Sequence, residues 1–224
     1  MPNYMKTVLL FILLISTQII CGQNDTVIDN KFCIKTSPLS FLSIYDGPAY
    51  KIGTEIKLHK NISTYLEYGG YIQTHNVPIW WKENLTGFTV KSEIKYYLNR
   101  KKLTVGKYIA LEYSYKNQIF GFWGTIKVDS VTSYSKDYNI SKEASCFNLK
   151  FGEVFIKRKR FVFEYFGGMG VIFIKGKDGL TDFEKKNLKH GENEGGTAAG
   201  IIRDTGPWET LNLTAGIKLG YRIK

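Results

Sequence analysis

The chain has 224 residues, 43% of them hydrophobic, and 31 Lys plus Arg against 20 Asp plus Glu give a net charge of +11. That length fits one domain. Scarce Pro (5), plentiful Gly (22) and many aromatics (15 Tyr, 14 Phe) favour an all-β protein over a helical one.

At the N-terminus Lys6 precedes the apolar run Val8–Ile15, and a polar shoulder, Ser16-Thr17-Gln18, leads to Ile19-Ile20-Cys21-Gly22-Gln23. A charged start, an apolar stretch too short for a membrane helix and a small residue before the cut read as a secretory signal. Residues 1–22 are therefore expected to be the signal, with Met5 as an alternative start. Cys21 also admits a lipoprotein reading, but Ile20 stands where such sites want Gly, Ala or Ser. No other apolar stretch reaches membrane-helix length. Loss of the signal removes Lys6 and no acid, so a large positive excess remains. Such an excess fits an anionic neighbour, or a Lys- and Asn-rich proteome bias. An exported chain rarely meets nucleic acid, so no nucleic-acid partner is expected. Lipopolysaccharide phosphates suit the compartment better. Of the other cysteines, Cys33 and Cys146, the expectation is two unpaired small hydrophobes, with a single disulfide as the alternative.

After a lead at 23–33, eight segments alternate with a period of two: 34–44, 48–58, 62–73, 87–98, 106–117, 143–156, 160–174 and 208–223. Each is long enough for a tilted strand to cross hydrocarbon, which takes roughly 9–11 residues. Pro38 removes a backbone donor from the first, so a bulge or bend is expected there. Turns at 59–61 and 157–159 and a short link at 99–105 alternate with longer links at 74–86, 118–142 and 175–207; 45–47 is a short exception. The last loop is expected to be mobile, with a helical turn near Leu180–Leu188. In the final segment Leu211, Leu213, Ala215, Ile217, Leu219, Tyr221 and Ile223 form one face and Asn212, Thr214, Gly216, Lys218, Gly220 and Arg222 the other. It looks like the closing strand of a bacterial outer-membrane barrel. There Ile217, Leu219, Tyr221 and Ile223 would face lipid and serve the barrel assembly machinery as an insertion signal. Residues 34–224 are thus expected to form an eight-stranded antiparallel up-and-down transmembrane β-barrel. An even strand count puts both termini on the periplasmic side of the outer membrane.

With apolar residues facing lipid, the inward charges away from strand ends are Lys51, Lys91, Lys95, Lys150, Lys218 and Arg222 against Glu55, Glu67, Glu93, Glu112 and Glu164. A barrel of eight strands is just wide enough for side chains to fill. These near-balanced charges are expected to interlock and close the lumen, because an unpaired buried charge is costly. Glu153 breaks the pattern on the lipid face, near an edge where a charge costs only about 0–1 kcal/mol.

Signals for chemistry are few. His59, His75 and His190 have no metal spacing, and no phosphate-binding glycine loop follows a strand. No cofactor, metal or catalytic residue is expected. His75 with Thr74 at a barrel rim keeps open an enzyme acting on outer-membrane lipid, a lipid A deacylase or acyltransferase. Trp80-Trp81 read as interface aromatics or loop packing. A secreted lipocalin-like barrel is the soluble alternative, although no early Gly-x-Trp is present and the chain stops on a strand.

Lys35–Phe41, Glu93–Leu98, Tyr108–Glu112 and Phe151–Phe161 running on to Gly167-Gly168-Met169-Gly170 together resemble a family of uncharacterised Bacteroidetes outer-membrane barrels, classed as a domain of unknown function. The architecture is similar to OmpA- and OmpX-type barrels. With no peptidoglycan-binding domain after the barrel, the full OmpA arrangement is not expected. The resemblance implies an outer-membrane location and supplies no activity. The expected function is a non-enzymatic integral outer-membrane protein serving envelope integrity or, through its outer loops, surface interaction with an unnamed ligand.

Overall fold

A computed structural model describes residues 32–42, 47–73, 83–98, 105–129, 132–157, 160–189 and 206–223. The expected signal, the lead before Phe32, His75, His190 and Trp80-Trp81 lie outside the described residues. The strands are β1 (Phe32–Thr36), β2 (Ala49–His59), β3 (Ile62–Tyr71), β4 (Glu83–Tyr97), β5 (Gly106–Lys127), β6 (Ser133–Lys157), β7 (Phe161–Asp178), β8 (Leu188–Lys189) and β9 (Gly206–Ile223). A short helix, α1 (Asp182–Asn187), precedes β8.

Every long strand pairs antiparallel with its chain neighbours. β7 pairs with β9, and β9 with β1, which closes the ring at eight strands. Closure pairs the two edges that an open sheet would leave bare. The pairing can be followed round the ring from Leu219 through Thr36, Ile52, Tyr68, Val90, Tyr115, Ser145 and Phe173. It returns to β9 at Glu209, ten residues from where it began. A stagger of this size goes with strands tilted by roughly 35–45°.

The outer face is apolar. On β7 the row Phe161, Phe163, Tyr165, Met169, Val171 and Phe173 is exposed, and on β9 Leu213 is 72% exposed. At this tilt each residue climbs roughly 2.4 Å along the axis, so the β7 row spans roughly 29 Å, enough for an apolar band about 25 Å tall. The row ends where Lys175 faces Glu143. A soluble barrel would place its charges outside; this one places them inside. Glu153 stays on the outer face, where Tyr165 donates a hydrogen bond to it at 2.7 Å.

Three differences from the sequence reading have physical causes. β1 stops at Thr36 and the chain enters a 3-10 turn, Pro38–Leu42, so the strand expected over 34–44 ends at Thr36, and residues 43 and 44 lie outside the described residues. Pro38 cannot donate to the ladder, and the bend expected there ends the strand outright. The segment 118–142 is not a loop: β5 and β6 run on in register to Lys127 and Ser133. Beyond the apolar band the pattern inverts. Phe120, Ile126, Tyr138 and Ile140 now point inward and are buried, which a search for outward apolar rows misses. β4 also starts early, at Glu83, through an irregularity between Glu83 and Thr86 beside Asn84 (φ 52°) and Gly87 (φ 132°). A Cβ on Gly87 would meet the Asn117 carbonyl oxygen, so that position requires glycine.

The far end, away from Phe32 and Ile223, carries a small superstructure. α1 is capped by Thr181, whose hydroxyl accepts from the Glu184 backbone N–H while Glu184 accepts from the Thr181 N–H. Leu188 then follows into β8, which pairs with Thr125 and Ile126 of β5. Leu180 joins the cluster of Leu85, Phe120, Ile126, Tyr138 and Ile140, with Tyr71 and Leu188 packed against it.

Candidate functional site

The lumen is filled in two layers. Nearest the termini, Cys33, Tyr97, Tyr108, Ala110, Val154, Val162 and Phe166 form an apolar disc with Ile156 against it. Cys33 and Cys146, on β1 and β6, are both buried and neither is in a disulfide.

Next to the disc lie five lysines and five glutamates. Lys35 bridges Glu55 and Glu164. Lys95 reaches Glu164 at 2.8 Å, Glu55 at 3.1 Å and Glu93 at 3.8 Å. Lys218 lies 2.7 Å from Glu93 and 3.7 Å from Glu164. Lys150 joins Glu93 at 2.7 Å to Glu112 at 2.9 Å. Lys91 stands 3.4 Å from Glu112 and 3.6 Å from Glu67. Each of these lysines touches at least two carboxylates, so the pairs form one connected lattice with equal numbers of each sign. That topology answers the problem of burial: a desolvated ion is tolerated when its partners and hydrogen bonds replace the lost water.

Neutral donors complete the lattice. Ser63 and Tyr97 each donate to Glu55 at 2.6 Å, and Tyr108 donates to Glu164 at 2.6 Å. Tyr65 at 2.7 Å and Ser37 at 2.8 Å donate to Glu67, and Asn148 donates to Glu112 at 2.7 Å. Aromatic faces take up the ammonium groups: Lys150 lies 3.6 Å above the centre of Phe166 and Lys218 3.8 Å above Tyr65.

Strand alternation positions these groups. Lys91, Glu93 and Lys95 follow one another on the inward face of β4; Glu112 lies beside Glu93 on the neighbouring β5, and Lys150 on β6, Glu164 on β7 and Lys218 on β9 reach them across a narrow bore. Lys51 and Arg222, also expected inward, occupy half-buried positions on β2 and β9. Ile217 is half-buried, while Leu219, Tyr221 and Ile223 are exposed on the outer face of β9. The sequence reading missed Lys35, which is only 2% exposed. Its signal was present: Ile34 and Thr36 alternate with Cys33 and Lys35, but Pro38 made the segment look unreliable. The inward tyrosines Tyr65, Tyr97 and Tyr108 were also missed as members of the network, because an aromatic in a barrel strand reads first as a lipid-facing residue.

Among the described residues no cluster of three or more His, Cys, Asp and Glu side chains could hold a metal ion. His59 is exposed at the end of β2.

No family model matches the chain, and no curated protein matches it. Among solved structures the chain is similar to the N-terminal β-barrel domain of Pseudomonas aeruginosa OprF, at 12% identity and a TM-score of 0.32. The match covers 87% of this chain and 98% of that domain. So loose a superposition adds nothing to the strand pairing, which defines the barrel by itself.

Proposed function

We propose that this is a non-enzymatic integral outer-membrane protein with a plugged lumen, both termini in the periplasm and its far end outside the cell. The observation that carries this reading is the buried Lys–Glu lattice under an outward apolar band: one closes the bore to ions, the other fits hydrocarbon. The resemblance to Bacteroidetes outer-membrane barrels agrees with it. Among the described far-end elements, the β5–β6 hairpin reaches furthest beyond the apolar band and is the part best placed for surface interaction. Outer-membrane lipid is the immediate partner, and the assembly machinery reads the β9 strand. A cysteine placed at Asp129, near the hairpin tip, tests the orientation. A membrane-impermeant maleimide should label it on intact cells, and labelling only after the outer membrane is opened would reverse the orientation. An unchanged lipid A mass profile in a deletion strain is expected for a non-enzymatic protein; a changed acylation pattern would favour the lipid-enzyme alternative.

A further inference from the structure

The wall of the barrel is uneven. β1 ends opposite Leu219, yet β9 continues to Gly206, and among the described residues no strand takes up its free side. The Arg222 N–H donates to Arg160 at the start of β7. Even-numbered residues of β9 therefore direct their backbone groups to β7, and odd-numbered ones direct theirs to the β1 side. From Ile217 up to Leu211 those odd-numbered groups face a seam. Pro207 also falls on that side, as a proline in a strand must when it has no donor to give.

On the opposite flank β2 is provided for. Thr36 donates from its hydroxyl to the Lys51 carbonyl at 2.7 Å and Ser40 to the Ala49 carbonyl at 2.6 Å. The 3-10 turn Pro38–Leu42 thus packs between β2 and β9 and satisfies β2. Among the described residues no backbone hydrogen bond does the same for Leu211, Leu213, Ala215 or Ile217 on that side.

The inner surface behind the seam is also accessible. Thr210, Asn212 and Thr214 point inward from β9 but are only half-buried, whereas Ser114 and Cys146 at a similar height on β5 and β6 are buried. The seam lies within the apolar band, between exposed Leu211 and Leu213 and the exposed Leu39 of the turn. Hydrocarbon, a polar inner wall and a backbone edge unpaired among the described residues meet at one place. Pure hydrocarbon cannot serve such an edge, because unpaired backbone in lipid costs several kcal/mol per group.

We propose that this seam is a lateral portal for an amphiphile, its hydrogen-bonding head group against Thr214, Asn212 and the free edge of β9 and its acyl chain in the bilayer. The proposal rests on the reading that the barrel spans a membrane, and the test separates the two. Single cysteines at Thr214 (inward) and Leu213 (outward) are labelled with a fluorophore in the folded protein, where Cys33 and Cys146 are buried. The barrel is then placed in phosphatidylcholine vesicles carrying a nitroxide on the acyl chain. The label at 214 should be quenched at least half as strongly as that at 213. Quenching of 214 by water-borne iodide alone overturns the portal. Shielding of 214 from both quenchers in a dimer also overturns it, since a second copy then covers the edge. If 213 escapes the chain-borne quencher, it is the membrane reading that fails. Native mass spectrometry of the unlabelled protein with lysophosphatidylethanolamine gives an independent measurement. One molecule should be retained per barrel and lost in Thr214→Trp, whose indole fills the crevice. No retention, or retention unchanged by the substitution, overturns the proposal.

Discussion

Lys218 and Glu93 meet at 2.7 Å across the lumen, although 125 residues separate them in the chain. Both side chains are fully buried, and Glu93 also accepts from Lys150 at 2.7 Å. Glu93 is therefore a junction: its removal takes the nearest carboxylate from two ammonium groups at once and weakens the lattice at Lys95 as well.

Glu93→Ala should destabilise the barrel by about 3–5 kcal/mol, the cost of breaking a buried ion pair from one side. Urea unfolding of the barrel in lipid vesicles, followed by heat-modifiable mobility on gels, measures it. An effect below 1 kcal/mol would mean that water reaches the site and the lattice is not a plug.

Lys35 makes the same case from β1. Lys35→Met leaves Glu55 and Glu164 facing each other with less compensation, and should cost about 3–5 kcal/mol. Adding Glu164→Gln should recover part of that loss, because residues in one charge network are not additive. A double-mutant cycle in the same unfolding assay checks this; strict additivity would show that Lys35 does not act on Glu164.

How far the sequence discloses this arrangement depends on where the solvent changes. Within the apolar band the rule is simple, outward apolar and inward polar, and β2, β4, β7 and β9 with their charges can be read from alternation alone. Past Phe120 and Ile140 the rule inverts, as it would where water replaces hydrocarbon on the outside, and the long hairpin reads as a loop. Lys35 and the early end of β1 elude the same reading for another reason. Pro38 breaks one ladder, and its effect on the opposite edge of β9 depends on which strand closes the ring. Pairwise contacts such as Lys218 with Glu93 need the stagger of the barrel, which no single segment carries.

The two faces of β9 give an opposed pair of substitutions. Ile217→Lys places a charge on the lipid side and should cost up to about 2–4 kcal/mol near the bilayer midplane. Lys218→Ile leaves the lipid face intact and instead takes a partner from Glu93 and Glu164. Outer-membrane yield and gel mobility distinguish them. If Ile217→Lys and deletion of Tyr221 to Lys224 both leave folded yield unchanged, neither the face assignment nor the insertion role stands.

The far-end helix supplies a pH dependence. Lys136 and the Thr181 backbone hold the Glu184 carboxyl down at about 2, below its ordinary 4.5. A group whose folded pKa is depressed contributes its stability above the ordinary value and loses it as pH falls toward the folded one. Amide protection of α1 should therefore be full above pH 4.5 and fall between 4.5 and about 2. Glu184→Gln should flatten that dependence, as hydrogen exchange would read it. Equal pH dependence in the variant would assign the effect to another group.

The plugged lumen is tested most directly by electrical recording of the purified barrel in a planar bilayer. With insertion verified by protease protection, the Lys–Glu lattice and the apolar disc beneath it predict no steady conductance above the bare membrane. Large, long-lived openings from the folded wild-type protein would contradict it.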